Sequence, residues 1–407
     1  MTSEWHEVPL RELVGYISKG IAPSYAEEAS ETTIRVLNQK CNRNFRISYG
    51  DSRLHDTLKK KVPPERYVKP DDILINSTGA GTAGRIAQIE DVPSATTIDG
   101  HMTLIRSNGK VTQKFLGYAL KAHQWEVLQL DEGSTGQTEL NRDRLLDEIV
   151  INYPVSFDEQ NAIVGTLESI DRKLIVNEQL NDNLQQQLRT IFKAEFTDNP
   201  ELENITQIPL SELCHVVTKG TTPTTLGKPF VESGINFIKA ESILDDHSID
   251  KSKFAFIDEE TNALLKRSII HAGDVVFTIA GTLGRFALID ENVLPANTNQ
   301  AVAIIRADVE KVLPEYIYTC FIGEWHTDYY AKRVQQAVQA NLSLTTIKSL
   351  PIPLLDEAKM SEYLSFILPL IKAIKTNEAQ NEKLAALRDI LLPKLMSGEI
   401  DVSAVQL

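Results

Sequence analysis

Cysteine is scarce in this 407-residue sequence. Cys41, Cys214 and Cys320 stand too far apart for a disulfide framework or a zinc-binding pair. The eight histidines are scattered without metal-ligand spacing, so no metal site is expected. No run approaches the ~18 uninterrupted apolar residues of a membrane span. The most apolar window, residues 363–374, is broken by Pro369 and Lys372. Residues 1–9 are polar, with Glu4 and Glu7, and have none of the apolar core of a signal peptide. These absences point to a cytoplasmic chain with no membrane partner. A basic excess is also missing: the formal net charge is −14, whereas a simple DNA binder carries a basic footprint.

The whole-chain charge hides a local one. Residues 35–69 hold ten basic side chains (Arg35, Lys40, Arg43, Arg46, Arg53, Lys59, Lys60, Lys61, Arg66 and Lys69) against Asp51, Asp56 and Glu65, a net of +7. Phe45, Tyr49 and Tyr67 are interleaved among them. Either a solvated loop or a nucleic-acid face fits that pattern. The corresponding stretch in the second half, residues 236–271, holds five basic and seven acidic residues.

What is present above all is a repeat. Val8-Pro9-Leu10-Arg11-Glu12-Leu13 returns as Ile208-Pro209-Leu210-Ser211-Glu212-Leu213, and Ser18-Lys19-Gly20 as Thr218-Lys219-Gly220. Asp72-Ile73-Leu74-Ile75-Asn76 matches Asp274-Val275-Val276-Phe277-Thr278. Gly81-Thr82-Ala83-Gly84-Arg85 matches Gly281-Thr282-Leu283-Gly284-Arg285, and Thr103-Leu104-Ile105-Arg106 matches Ala303-Ile304-Ile305-Arg306. The offset stays within two of 200, a register that chance does not hold over a whole chain. Each copy begins with short β-branched runs punctuated by Gly, Asn, Asp and Pro, the pattern of a strand-rich domain. Helix signals within these domains lie at Lys114–Leu130 and Pro314–Val338.

After each domain the composition shifts to Leu, Gln, Glu, Asn and Lys. Ile163, Leu167, Ile170, Leu174, Asn177, Asn181, Leu184, Leu188 and Ile191 alternate in steps of four and three, a heptad seam. The second copy gives Tyr363, Ile367, Leu370, Ile374, Asn377, Asn381, Leu384, Arg388 and Leu391, with Arg388 breaking the seam and neighbouring Leu387 expected to compensate. The pattern implies an α+β chain. Two strand-rich domains (residues 1–155 and 201–355) are each followed by a long helix (156–200 and 356–407), and the helices pack as an antiparallel coiled coil. Asn177 and Asn181 are then expected to face Asn377 and Asn381, fixing register, since a buried amide needs a partner. A helix over 162–194 is roughly 50 Å long, longer than one DNA turn of about 34 Å, which suits two separated half-sites.

No catalytic constellation emerges. Gly79-Ala80-Gly81-Thr82-Ala83-Gly84 fits a dinucleotide fingerprint, with Asp99 downstream, but residues 85–89 alternate like a strand and the second copy keeps only Gly281 and Gly284. A strand–turn–strand hairpin with an exposed Arg85 fits better. The counterpart of His101 in the second copy is Ala301, so no duplicated triad exists. The residues leave open a DNA reader, a non-catalytic scaffold binding protein or carbohydrate, and an enzyme using the Gly-rich loop.

The ending Leu391-Leu392-Pro393-Lys394-Leu395-Met396-Ser397-Gly398-Glu399-Ile400 resembles the C-terminus of type I restriction–modification specificity subunits. The lobe openings, the Asp72–Arg85 and Asp274–Arg285 runs, and Asp158-Glu159-Gln160 before a long helix are similar too, in doubled order over the full chain. Ala358 departs from the Glu-Gln pair, and the second Gly-Thr loop is two residues shorter. The resemblance implies two target recognition domains, each reading half of an asymmetric interrupted site in double-stranded DNA. It implies helices that set the spacer and dock modification (methyltransferase) subunits, joined by restriction (ATP-dependent nuclease/translocase) subunits. No cofactor is then expected in this chain; S-adenosylmethionine, ATP and Mg belong to the partners. Since base-reading residues do not carry over between members, DNA contacts are expected from side-chain chemistry alone. These are Lys19, Arg43, Arg46, Arg53 and Arg85 in the first lobe, and Lys219, Lys239, Arg285 and Asn341 in the second.

Overall fold

The repeated sequence signatures mark places where the backbone has little choice. Pro9 and Pro209 each close an edge strand (Trp5–Pro9 and Gln207–Pro209) and open a single 3-10 turn, Leu10–Glu12 and Leu210–Glu212. The turn drives Leu10 and Leu13, or Leu210 and Leu213, into the core. Its first amide donates to the carbonyl of Ile149 or Leu350, at 2.8 Å in both copies. Gly20 and Gly220 are needed for close approach: a Cβ would lie 2.1 Å from the Asp99 carbonyl oxygen in one copy and 1.8 Å from that of Thr298 in the other.

The computed structural model describes residues 4–79, 81–132, 139–199, 205–327, 329–330 and 341–402. The chain forms two compact units, Met1–Lys173 with Leu384–Leu407, and Leu174–Lys383. In the first unit a four-stranded antiparallel sheet runs in the order Val14–Lys19, Met102–Ser107, Ile73–Asn76, Ile86–Gln88. A second sheet orders Thr96–Ile98, Thr33–Leu37, Arg53–Asp56 and Tyr25–Ala26, its first pair parallel. The second unit repeats the first sheet as Cys214–Lys219, Val302–Ala307, Val275–Thr278, Phe286–Leu288, beside a three-stranded sheet of Ala255–Ile257, Ile235–Ile238 and Ala296–Thr298. In each copy the edge strand pairs with the strand before the long helix, Val150–Pro154 or Pro351–Pro353.

A buried Arg–Asp fork fixes both four-stranded sheets. Arg106 Nε and Nη2 donate to the two carboxylate oxygens of Asp72, each at 2.7 Å; Arg306 repeats this on Asp274. Asp72 and Asp274 are 3% and 0% exposed, and each also accepts a backbone amide, from Lys69 or His271. Buried charges persist only when so fully satisfied.

The long helices span Phe157–Phe196 and Glu357–Met396. Within the second unit they run antiparallel, with Leu184, Leu188, Phe192 and Phe196 in one core with Tyr363, Ile367, Ile371 and Ile374. Asn177 Nδ2 donates to Asn381 Oδ1 and Asn377 Nδ2 to Asn181 Oδ1, both at 2.8 Å. Asn381 and Asn181 in turn donate to the carbonyls of Leu174 and Ile374, at 3.3 and 3.5 Å. These bonds exchange under the 200-residue offset, so the quartet has local twofold symmetry.

Three sequence expectations need correction. The helix expected over Lys114–Leu130 is two pieces, Gln113–Ala122 and Gln124–Val127, broken at His123 so that the Gln124 side chain reaches a neighbouring turn. The helix expected from Pro314 to Val338 ends at Ile322, with Gly323 as its cap at a point where a Cβ would fall 2.1 Å from the Phe192 ring; residues 331–340 lie outside the described residues. Arg388 is not compensated by Leu387, which is 39% exposed. It is instead part of an ion-pair cluster in the first unit, bonded to Asp171 at 3.3 Å. Lys121 and Tyr118 also bond Asp171, each at 2.9 Å. Burial raises the Asp171 carboxyl, but these partners outweigh it and hold it below the usual range.

The Asn quartet makes a direct stability prediction. Asn177→Leu alone takes the donor from Oδ1 of the half-buried Asn381 and costs about 0.5–1.5 kcal/mol, the net worth of a hydrogen bond. Adding Asn381→Leu recovers most of that loss. Thermal unfolding of both single variants and the double variant measures the coupling, and additive losses would show that the two amides are not a unit.

Candidate nucleic-acid interface

The same polar corner is built in both units, by a short hairpin lying against a glycine turn. In the first unit Asn42–Arg43 and Arg46–Ile47 pair antiparallel around Asn44 and Phe45, with φ of 52° and 61°. Two left-handed residues in a two-residue loop match the right-handed twist of the strands, though a non-glycine residue there costs about 1–3 kcal/mol. The Phe45 carbonyl accepts the Gln88 amide, and the Lys121 ammonium lies 5.0 Å from the centre of the Phe45 ring. Buried Asn42 donates to Asn76 Oδ1 at 3.1 Å and to the Arg85 carbonyl at 2.8 Å, fastening the hairpin to the turn.

That turn joins Ile73–Asn76 to Ile86–Gln88 as an antiparallel hairpin, so no helix follows the glycines and a dinucleotide-binding loop is absent. Gly81 and Gly84 have φ of 70° and 85°; Gly281 and Gly284 have 76° and 89°. The repeated glycines therefore satisfy one backbone geometry. Gln124 brackets the end of the turn, donating to the Gly84 carbonyl and accepting the Ile86 amide. Arg85 stands exposed between them, and its Nη2 reaches the Gly81 carbonyl at 3.3 Å.

In the second unit the equivalent hairpin runs between Ile243 and Ile249, which form an antiparallel bridge. Leu244-Asp245-Asp246-His247-Ser248 occupies the tip, and His247, with φ of 66°, takes the place of Phe45. Its ring stacks on Phe286 at 4.0 Å. Gln185 Nε2 donates to the Asp246 carbonyl at 2.6 Å, and Asp246 Oδ1 accepts from the amide and hydroxyl of Ser248. Arg285, the counterpart of Arg85, is not displayed alone. Its Nε and Nη2 fork onto the two oxygens of Asp245, both at 2.6 Å, and Nη1 reaches the Ile243 carbonyl at 3.2 Å.

The expected contact residues thus divide. Arg43 and Arg85 are exposed beside one corner, and Arg46 sits partly buried in the same hairpin. Arg53 is on the neighbouring sheet, its guanidinium 3.3 Å from the centre of the Tyr25 ring. Lys19 is ion-paired with Glu139, Lys239 with Glu241 at 2.8 Å, and Arg285 with Asp245. Lys219 ends a strand half-buried, and Asn341 is exposed next to residues outside the described set. Sequence reasoning missed Asn42, Gln124 and Asp245. The hairpins share almost no residue types, so the repeat search passed over them; the adjacent Arg85/Arg285 match was the available signal.

Among the described residues, no group of His, Cys, Asp and Glu is placed to hold a metal, and no helix is long and apolar enough to cross a membrane.

Comparison with known proteins gives a consistent result. The family model for the type I restriction modification DNA specificity domain matches residues 2–186 and again 203–386. The type I restriction enzyme MjaIX specificity subunit of Methanocaldococcus jannaschii is 25% identical over 378 residues, covering 88% of this chain and 83% of the relative. The EcoBI specificity subunit of Escherichia coli is 24% identical over 246 residues, covering 59% of this chain and 48% of the relative. The crystal structure of the type I restriction–modification S subunit from M. genitalium superposes with a TM-score of 0.55 at 15% identity, over 97% of this chain and 96% of that one. That last likeness is one of fold.

The second corner carries a pH dependence. His247 and His326 are 8% and 7% exposed, so a charge on either ring would be poorly solvated. Burial lowers both pKa values to about 4. Below the unfolded value of about 6.5 the unfolded chain takes up protons that the folded one refuses, so stability falls as pH drops from about 6.5 toward 4. Each histidine contributes a slope of about 1.4 kcal/mol per pH unit in that window. Denaturant unfolding between pH 7 and 5, above most carboxylate titration, measures the slope; a flat profile contradicts it.

Proposed function

As the chain belongs to the type I restriction modification DNA specificity domain family, we propose that it is the DNA-recognition subunit of a type I restriction–modification complex. The observation that carries this reading is one structural frame used twice with different polar tips. A hairpin fastened to a glycine turn holds its outward side chains on rigid backbone, as a base-reading element requires. In the first unit the tip is basic and suits phosphates and guanine edges; in the second it carries Asp245 and Asp246. Two readers with unlike tips are what a bipartite, asymmetric site calls for.

In this reading residues 1–155 and 201–355 are the two target recognition domains. The long helices dock methyltransferase subunits, and the Asn177, Asn181, Asn377 and Asn381 quartet fixes their register. The chain itself is not an enzyme and takes no cofactor. Methyl transfer from S-adenosylmethionine, and Mg- and ATP-dependent cleavage, belong to modification and restriction subunits. The −14 net charge is compatible with DNA binding because partner subunits supply much of the phosphate-facing surface. The family match lends nothing to a protein- or carbohydrate-binding scaffold.

Arg43→Ala and Arg85→Ala are each expected to weaken DNA binding by the chain assembled with methyltransferase subunits. Where the side chain meets phosphate, the slope of log affinity against log salt falls by about one. Binding titrations at several salt concentrations check this, and unaltered affinity throughout removes the residue from the interface.

A further inference from the structure

The Arg285–Asp245 fork reverses the chemistry of the second corner, and we propose that Asp245 is a specificity-determining residue that accepts a hydrogen bond from an exocyclic base amino group in the major groove, cytosine N4 or adenine N6. The proposal rests on the DNA-recognition reading above and names the functional group that one of its two tips reads.

Four observations lead to it. The first is equivalence: the Asp245 loop occupies the position of the Arg43–Arg46 hairpin, entered by a similar 3-10 turn (Ala240–Ser242 against Gln39–Cys41) and holding a left-handed ring residue on the strand after the glycine turn. The second is acceptor capacity. A carboxylate offers about four lone-pair sites, and Arg285 takes one on each oxygen. The side chain is still 82% exposed, so its remaining acceptor sites face outward.

The third is rigidity. The loop is pinned by the Ile243–Ile249 bridge, by Gln185 on the Asp246 carbonyl, and by the His247 ring on Phe286, the residue next to Arg285. Fourth, the charges fit. A lone carboxylate is repelled by the phosphates, whereas one forked by a guanidinium approaches as a neutral pair while keeping its acceptors. Arg285 is therefore a positioning residue. To read guanine itself it has to give up two charge-assisted bonds of 2.6 Å, whereas Arg85 has no carboxylate partner among the described residues.

The first lobe then presents donors and the second an acceptor, through the same backbone frame. Carboxylates are suited to cytosine N4 among major-groove groups, and adenine N6 offers the same amino chemistry.

The test uses the chain assembled with its methyltransferase subunits and a library of DNA duplexes randomised across the recognised sequence. Asp245→Asn keeps the shape but replaces one acceptor oxygen with a donor group and removes the charge. The expected result is a loss of about 5- to 150-fold in preference at a single base pair, with preferences elsewhere unchanged. The base preferred there by the wild-type complex, cytosine or adenine, identifies the amino group. Arg285→Gln is expected to weaken the same preference by releasing Asp245, with the other positions again unaffected. Uniformly tighter binding and a steeper salt dependence, with unaltered preference at every position, overturns the proposal and leaves Asp245 as a neutraliser of Arg285. Absence of any sequence preference in the wild-type complex overturns the DNA-recognition reading itself, and this assignment with it.

Discussion

The buried fork between Arg106 and Asp72, repeated between Arg306 and Asp274, is the constraint on which both corners depend. It joins the strand Met102–Ser107 or Val302–Ala307 to the residue that opens the glycine hairpin. A carboxylate almost wholly removed from water is tolerated only with its lone pairs occupied, and removing one partner of such a pair costs about 3–5 kcal/mol. That penalty penalises slippage of the hairpin strand. The turn at its far end is thereby presented in a fixed register, and whatever lies on the turn inherits that register. Gly20 and Gly220 add a steric constraint at the neighbouring strand end, where only a bare Cα fits against the opposing carbonyl.

Much of this frame was legible in the sequence because the frame is the part that the duplication kept. The Val-Pro-Leu opening, the Lys-Gly pair, the Asp that begins the hairpin, the two glycines and the strand-ending Arg each serve a geometric need that both copies share. The Asn pairs were legible for a related reason: polar residues at two seam positions, repeated at the same spacing, have few structural explanations. The tips were not legible. Arg43-Asn44-Phe45-Arg46 and Leu244-Asp245-Asp246-His247 have no residue in common, and their equivalence rests on left-handed backbone at Phe45 and His247, which no composition pattern announces. The cis pairing of Arg285 with Asp245, forty residues away in sequence, likewise depends on how the hairpin folds back. The helix break at His123 was missed because propensity there yields to a tertiary demand, the Gln124 bonds to the glycine turn, whereas Gly323 was itself the available stop signal.

The helix seam shows the same division between kept frame and local divergence. In the second unit Leu188 and Ile371, the latter one residue past the predicted seam position Leu370, are buried between the helices. Under the repeat offset they correspond to Arg388 and Asp171, which in the first unit are an ion pair reinforced by Lys121 and Tyr118. The two-stranded seam thus has an apolar layer in one unit and a charged layer in the other. An identical sequence in both halves has no means of telling its two ends apart; this substitution supplies one.

Phe45 and His247 have a further consequence. The His247 ring is seated on Phe286 of the strand that follows the glycine turn, and Phe45 meets the equivalent strand through its backbone, so each fastens its loop to the frame. Arg43 and Asp245, exposed beside them on the tips, take no part in that fastening. Mutations there are paid for in neither core packing nor strand register, and the population of sequences that still fold is large at those few positions. A lineage drifting through such variants passes from one outward chemistry to another by single substitutions, without crossing an unfolded intermediate.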